Sequence, residues 1–170
     1  GDLSKWDTSR VTDMGLLFHT ASAFNGDLSK WDTSRVTDMG LLFNGVTLFN
    51  GDISTWNTSS VTNLHLTFNN AHAFNVDISN WNVERVVSLD RETFSGASTA
   101  LDNCTKLAIY NSWSGSVNMS SFTSWASFPA DGCTCNNITT NQELRENLER
   151  WIASPSSHPC GDIGDWDVRS

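Results

Sequence analysis

The chain has 170 residues, a net charge of −9 at pH 7 and an isoelectric point near 4.6. No basic patch is present to neutralise phosphates, so we expect no nucleic-acid partner, and no apolar run approaches the length of about 18 residues that a membrane-spanning helix needs. Only 17% of the residues are charged, below the usual quarter. Asn, Ser and Thr fill the difference, which suits a protein displayed outside the cell better than a cytosolic enzyme.

The first half of the chain is a repeat with a period of 25 residues. Residues 1–18 and 26–43 are identical, each reading GDLSKWDTSRVTDMGLLF. A third copy begins at Gly51, and a fourth, more divergent copy begins at Val76. We number these copies repeats 1 to 4. A fixed period of this length is typical of a solenoid, in which no single repeat can bury its apolar face alone.

Alignment of the repeats places apolar residues in columns, which we expect to stack into one core at the strand spacing of about 4.8 Å. The columns are Leu3, Leu28, Ile53 and Ile78; Trp6, Trp31, Trp56 and Trp81; Val11, Val36, Val61 and Val86; Met14, Met39, Leu64 and Leu89; Phe18, Phe43 and Phe68; and Phe24, Phe49 and Phe74. Their spacing within a repeat fits neither a long amphipathic helix nor a long hairpin strand. We therefore predict short strands joined by tight bends, with one helical turn at 14–18.

Polar residues form columns as well. Asn25, Asn50 and Asn75 lie at the repeat junctions, two of them before Gly, which predicts tight turns with positive φ. One carboxylate column contains Asp2, Asp27, Asp52 and Asp77, and a second begins with Asp7 and Asp32 and continues as Asn57 and Asn82. We expect these side chains to cap turns by accepting backbone N–H bonds. The alternative is a ladder of calcium sites, although the repeat lacks a closely spaced D-x-D pattern.

The string FNGDLSxWDTSxVTDMxxLF resembles the 25-residue repeat of the BspA-like leucine-rich-repeat surface proteins, which is also found in mycoplasma surface lipoproteins and in algal proteins. The resemblance covers residues 1–103 and again 161–170. It implies a leucine-rich-repeat-like solenoid that is displayed outside the cell and used in adhesion or protein interaction. It implies no catalytic activity.

Residues 104–139 are predicted to form a small disulfide-bonded helical cap that follows the repeats of residues 1–103. A short helix at 104–113 directs Leu107, Ile109 and Tyr110 towards the end of the solenoid. The aromatic residues of this segment are expected to cover the end of the core, with a sugar-binding platform as the alternative. They are Trp113, Phe122, Trp125 and Phe128.

Residues 140–160 are predicted to be an amphipathic helix and linker. Thr140 and Glu143 form a capping box, and Pro155 ends the helix. Its apolar stripe consists of Leu144, Leu148, Trp151 and Ile152.

Residues 161–170 match residues 1–10 and are predicted to start a further repeat. They offer Ile163, Trp166 and Val168 as an assembly edge that complements the first repeat. Such a head-to-tail contact does not close and generates filaments. The alternative is an excerpt of a longer protein with no assembly, since the chain begins at a repeat boundary without an initiator Met or a signal peptide.

All four cysteines lie outside the repeats: Cys104, Cys133, Cys135 and Cys160. Two pairings stay open, 104–133 with 135–160, or 104–135 with 133–160. A zinc site is the rival, but the spacing lacks paired C-x-x-C motifs. Disulfides imply an oxidising compartment.

N-glycosylation sequons begin at Asn57, Asn103, Asn118 and Asn137. With the disulfides, they place the chain outside the cell or on its surface. The sequons on loops, Asn118 and Asn137, are the ones on which we most expect glycans.

The sequence predicts a non-enzymatic structural repeat protein, a subunit or segment of a glycosylated surface fibre or adhesive coat. The alternative is an adhesion module that binds a protein or a glycan through the face carrying Thr8, Thr33 and Thr58 with Ser9, Ser34 and Ser59. No cofactor is expected, and no H-E-x-x-H, G-x-S-x-G or P-loop motif is present. The four histidines are scattered, so an enzyme is the least supported class.

Overall fold

The computed structural model describes residues 2–128. Repeats 1 to 4 lie one on another in the same direction, each shifted by one period. Parallel main-chain bridges join Asp13 to Asp38, Asp38 to Asn63, and Asn63 to Ser88. These bridges are single residues, and the described part of the chain contains no longer strand. The structure thus has bridges where short strands were predicted, while the leucine-rich-repeat-like class stays a prediction.

These residues form no longer strands because only some of the backbone N–H groups of a repeat donate to the next repeat, while the others donate within their own repeat. In repeat 1, alternate amides from Met14 to Thr20 donate to carbonyls of repeat 2 over 2.7–3.1 Å. The amides that alternate with them donate within repeat 1: those of Leu17, His19 and Ala21 to the carbonyl three residues earlier, and that of Gly15 to the Asp13 carboxylate. Half of the donors therefore close turns, and the predicted helical turn at 14–18 is a series of such turns.

The predicted apolar columns form the core. Trp31, Trp56 and Trp81 are each at least 95% buried, and successive indole rings lie 6.2–6.4 Å apart and nearly parallel. Each of these indoles also donates its Nε1–H to a carbonyl of the preceding repeat, at Leu3, Leu28 and Ile53 respectively, over 3.0–3.1 Å. The Trp column thus contributes a polar link between neighbouring repeats in addition to its buried area.

The prediction of positive φ at the Asn-Gly junctions is wrong. Positive φ occurs instead at Leu16, Leu41 and Leu66, and at the column Thr20, Gly45, Asn70 and Gly96. The junction glycines serve a different purpose, because a Cβ on Gly26 would lie 2.9 Å from the ring of Phe24. The Asn side chains link repeats: Asn25 Oδ1 accepts the N–H of Asn50 over 2.9 Å, and Asn50 Oδ1 accepts that of Asn75 over 2.8 Å.

Helical structure begins in repeat 4 and continues beyond it. Two 3-10 helices, Arg91–Phe94 and Ala97–Thr99, are followed by helix α1 (Asn103–Trp113) and by a 3-10 helix at Ser120–Ser127. Asp102 caps α1 by accepting the N–H of Thr105 over 2.8 Å. The helix predicted at 104–113 therefore coincides with α1 to within one residue.

This helical region covers the last repeat. Trp113, Phe122 and Trp125 are at least 95% buried and surround Phe94 with ring centroids 5.3–6.2 Å away. Because these three side chains are buried, they do not form an accessible sugar-binding platform, and the covering role predicted for them fits their positions. The helix predicted at 140–160 and the edge residues Ile163, Trp166 and Val168 lie outside the described residues.

We expect the substitution Trp56→Phe to lower the free energy of unfolding by about 1 kcal/mol, because it removes the Nε1–H donor and leaves the carbonyl of Leu28 with the Trp31 N–H as its one remaining donor among the described residues. Urea unfolding followed by circular dichroism measures the change. The matched control is Trp6→Phe, at an exposed position of the same column, where we expect a change of about 0.5 kcal/mol or less. Equal losses in the two variants would contradict a role for the indole hydrogen bond.

Candidate interaction surface

Repeat 1 has a core side that no other described part of the chain covers, whereas the outer side of repeat 4 is covered by the helical region. Trp6 is 57% exposed, against 5% for Trp31 one repeat later. The partly buried residues Leu3, Val11 and Phe24 also correspond to fully buried residues in repeats 2 and 3. A row of apolar side chains therefore faces away from repeat 2.

The same side of repeat 1 presents a row of carbonyl acceptors. In repeat 2, the carbonyls of Asp38, Gly40, Leu42 and Asn44 accept the N–H groups of repeat 1. Their counterparts in repeat 1 are the carbonyls of Asp13, Gly15, Leu17 and His19, to which no residue of the described chain donates. We call the apolar row Leu3, Trp6, Val11 and Phe24, together with these four carbonyls, the open face.

Donors accompany the acceptors on this face. Trp31 Nε1, the Thr37 N–H and the Leu48 N–H all donate to repeat 1. The equivalent groups one period earlier are Trp6 Nε1, the Thr12 N–H and the Ala23 N–H, for which the described residues supply no acceptor. Since residues 1–18 and 26–43 are identical in sequence, the open face repeats the chemistry of the surface on which repeat 1 itself packs.

The first two acidic columns form turns. Asp2, Asp7 and Asp27 each accept both the backbone N–H and the hydroxyl of the Ser two residues later, over 2.6–3.1 Å. Asn57 makes the same pair of bonds with Ser59, so the column tolerates a neutral amide. This geometry agrees with the turn-capping prediction.

The hydrogen bonds from Ser lower the pKa of the carboxyl groups in these columns. For Asp2, Asp7, Asp27 and Asp32 the Ser hydroxyl is the largest cause and the Ser backbone N–H the next. Within residues 2–128, no group of three or more His, Cys, Asp or Glu side chains is arranged to hold a metal ion.

A third polar column was not singled out from the sequence. Asp13, Asp38 and Asn63 each accept the backbone N–H of the residue two positions later. They line a shallow groove of about 200 Å³ together with glycine and leucine residues of repeats 1 and 2. Asn63 Nδ2 donates to both carboxylate oxygens of Asp38 over 3.0 and 3.1 Å. The VTD and VTN strings of the repeat are the sequence signal from which this column could have been predicted.

The placement of Thr8, Thr33 and Thr58 on a ligand-binding face is wrong. These side chains are at least 95% buried, and each hydroxyl donates over 3.0 Å to a carbonyl of the next repeat. The threonine column that reaches the surface is Thr12, Thr37 and Thr62, of which Thr62 is partly buried.

Some of the predicted glycosylation and disulfide sites lie among the described residues, and the others lie outside them. Asn57, Asn103 and Asn118 are exposed, and Cys104 is disulfide-bonded. Asn137, Cys133, Cys135 and Cys160 lie outside the described residues, so the pairing of the cysteines and the occupancy of the sequons stay predictions.

The family model described as "Mycoplasma protein of unknown function, DUF285" matches residues 1–107. The chain belongs to the DUF285 family. The matched segment comprises repeats 1 to 4 and the first half of α1. No curated protein and no solved structure matches the chain. Among the residues that the structure describes, no helix has the length and apolar character needed to cross a membrane.

The acidic columns predict how stability depends on pH. A pKa lowered by folding contributes stability that is present above the unfolded value, near 3.9 for Asp, and is lost as the pH falls through the folded value below it. We expect stability to decline below about pH 4, and the double variant Asp7→Asn with Asp32→Asn to decline less steeply. Urea midpoints measured between pH 7 and acid conditions test this.

The control variant for charge is Glu84→Gln, which neutralises an exposed carboxylate of repeat 4. It is expected to retain the acid dependence of the unmodified chain. An identical pH profile for the double Asn variant and the unmodified chain would contradict the assignment of the acid dependence to the Asp–Ser turns.

Proposed function

We propose that the chain is a non-enzymatic, extracellular structural repeat protein that serves as a subunit or segment of a glycosylated surface fibre or adhesive coat. The way in which the repeats bind one another is the observation that carries this proposal. Among the described residues, buried aromatic columns and backbone hydrogen bonds join each repeat to the next. Stacked repeats of this kind form extended scaffolds that suit a structural or adhesive role.

The assembly we propose is head to tail. Residues 161–170 match residues 1–10 at Asp, Trp and the apolar position after Asp. On this proposal, Ile163, Trp166 and Val168 pack against the open face of another subunit. The contact is heterologous, and repetition of it builds a filament.

Three observations support an extracellular or cell-surface location. The disulfide-bonded Cys104 fits an oxidising compartment, and the exposed positions of Asn57, Asn103 and Asn118 leave their sequons accessible to a glycosyltransferase. The resemblance of the repeat to BspA-like surface proteins points to the same location and to a role in adhesion.

A second candidate function is a capped adhesion module that binds a protein or a glycan. The covering of repeat 4 by α1 and the aromatic residues around Phe94 favours it, because that end of the described array is closed. The two candidates differ in self-association: the fibre subunit is expected to associate as its concentration rises, and the adhesion module is expected to stay monomeric.

Negative-stain electron microscopy and light scattering of the unreduced full chain test the fibre. We expect filaments with a regular axial rise above a critical concentration, and at least about a tenfold rise in that concentration for Trp6→Asp, which charges the open face. Leu48→Asp is the matched control, because Leu48 has the same exposed fraction of 57% but belongs to repeat 2. Monomers at every concentration would overturn the fibre and favour the adhesion module.

A further inference from the structure

We infer that the described N-glycosylation sequons fall into two classes: Asn57 and Asn118 accept a glycan in the folded protein, whereas Asn103 accepts one only before helix α1 has formed. This deepens the proposed function by assigning the modified sites and the stage at which each is modified, and it rests on that function for the encounter with a glycosyltransferase. The inference is drawn from the burial and hydrogen bonds of the three residues of each sequon.

The transfer reaction determines which groups a sequon must expose. In a lipid-linked oligosaccharide, the bond between the first sugar carbon and the pyrophosphate breaks. A bond forms between that carbon and the Asn Nδ2, the amide loses one proton, and the lipid pyrophosphate leaves. Because the motif requires Ser or Thr two residues after Asn, the enzyme must contact that hydroxyl as well as the amide. A folded sequon is therefore an acceptor where both groups are accessible from one side.

The sequon at Asn57 meets this requirement. Asn57 Oδ1 accepts the backbone N–H of Ser59 over 3.1 Å and its hydroxyl over 2.7 Å, so the amide and the hydroxyl lie side by side. Asn57 and Ser59 are exposed, while Thr58 between them is buried. The buried Thr58 anchors the turn, and the two groups that the enzyme contacts remain at the surface.

The sequon at Asn118 has the same arrangement. Asn118 Oδ1 accepts the backbone N–H of Ser120 over 3.0 Å, which brings the side chain of Asn118 next to Ser120. Both residues are exposed, and Met119 between them is buried. The folded cap therefore presents Asn118 as an acceptor.

The sequon at Asn103 lies in the first turn of α1 and differs in its geometry. Side chains two residues apart on a helix do not face each other, so the Asn103 amide and the Thr105 hydroxyl point to different sides. Thr105 is only 2% exposed. Its N–H donates to Asp102 Oδ1 over 2.8 Å and its hydroxyl to Asp102 Oδ2 over 3.2 Å. The folded protein thus withholds the hydroxyl that the transferase needs.

The middle residue of the same sequon adds a covalent constraint. Cys104 is disulfide-bonded, so its bond ties down the first turn of α1. Asn103 itself is exposed, and the folded protein can therefore accommodate a glycan that was attached earlier. Modification of Asn103 competes in time with formation of α1 and of the Cys104 disulfide.

Transfer rates measured at each sequon test the inference. The full chain, free of glycans and with its disulfides intact, is incubated with a purified oligosaccharyltransferase and a lipid-linked oligosaccharide, and mass spectrometry follows each site. The reference is a set of reduced synthetic peptides of residues 54–62, 100–108 and 115–123, which are too short to form stable helices. The ratio of the rate in the chain to the rate in the peptide removes intrinsic differences between the sequons.

We expect this ratio to lie within about threefold of one at Asn57 and Asn118 and to be at least about tenfold lower at Asn103, because α1 must open before Asn103 reacts. Equal ratios at Asn103 and Asn118 overturn the inference. So does a chain that is unmodified at Asn57 and Asn118 although the corresponding peptides react.

The variant Asp102→Ala tests the role of α1 while leaving the sequon and Cys104 unchanged. It removes the N-cap of the helix and frees the Thr105 hydroxyl, so we expect the rate at Asn103 in the full chain to rise about fivefold. The matched control is Asp27→Ala, since Asp27 also accepts an N–H and a hydroxyl, from Ser29, but lies in repeat 2. Equal rises in both variants would contradict control by α1.

Failure of this inference is distinguishable from failure of the proposed function, because the enzyme and the donor are supplied in the experiment. The expected ratios together with glycan-free native material would keep the two classes of sequon and remove glycosylation from the proposed function. Equal ratios at the three sites together with glycosylated native filaments would keep the proposed function and overturn the inference.

Discussion

The structure of the repeats depends on the satisfaction of backbone hydrogen bonds between neighbours that are 25 residues apart. A turn-rich backbone cannot satisfy its own polar groups as a helix does, and an unpaired buried N–H or carbonyl is costly. In this chain the alternate amides of one repeat are paired with the carbonyls of the next, and Trp, Thr and Asn side chains supply the remaining links. The apolar columns become buried as a result of this register.

The register also explains where the backbone accepts an unfavourable conformation. Leu16, Leu41 and Leu66 all have φ near +60°, which costs of the order of 1 kcal/mol or more for a residue with a Cβ. After each of these leucines, the next N–H donates to the carbonyl three residues earlier and the N–H after that donates to the next repeat. The inter-repeat hydrogen bonds offset the cost, and the conformation recurs in three repeats.

The two ends of the described array differ in whether their backbone polar groups and apolar columns are covered. At the end of repeat 4 the donors turn inward in 3-10 helices, and α1 with its aromatic neighbours covers the apolar columns. At repeat 1 the carbonyl row and Trp6 stay accessible. In an array of stacked repeats each repeat contacts only its neighbours, so the described residues differ at the two ends in whether a neighbour or a cover is present.

The sequence by itself determined the period, the apolar columns and the helix at 104–113, while the resemblance to BspA-like proteins is matched only at the level of the DUF285 repeat family. These features depend on local pattern and on identity between copies, both of which can be read from a single chain. It also indicated turn capping by Asp and Asn, since the Ser two residues later supplies the donor. Fibre formation, glycosylation and the cysteine pairing remain predictions from the sequence.

Only the tertiary structure decided which side of each repeat contacts its neighbour. The wrong predictions for the threonine column and the Asn-Gly junctions have this cause. Thr8, Thr33 and Thr58 read as a surface ladder, but their hydroxyls are buried because they bond to the carbonyls of the next repeat. Asn-Gly read as a positive-φ turn, but Gly26 is required by contact with the ring of Phe24. The row of carbonyls on the open face belongs to the backbone, and backbone direction leaves no trace in residue type until the neighbouring repeats are in place.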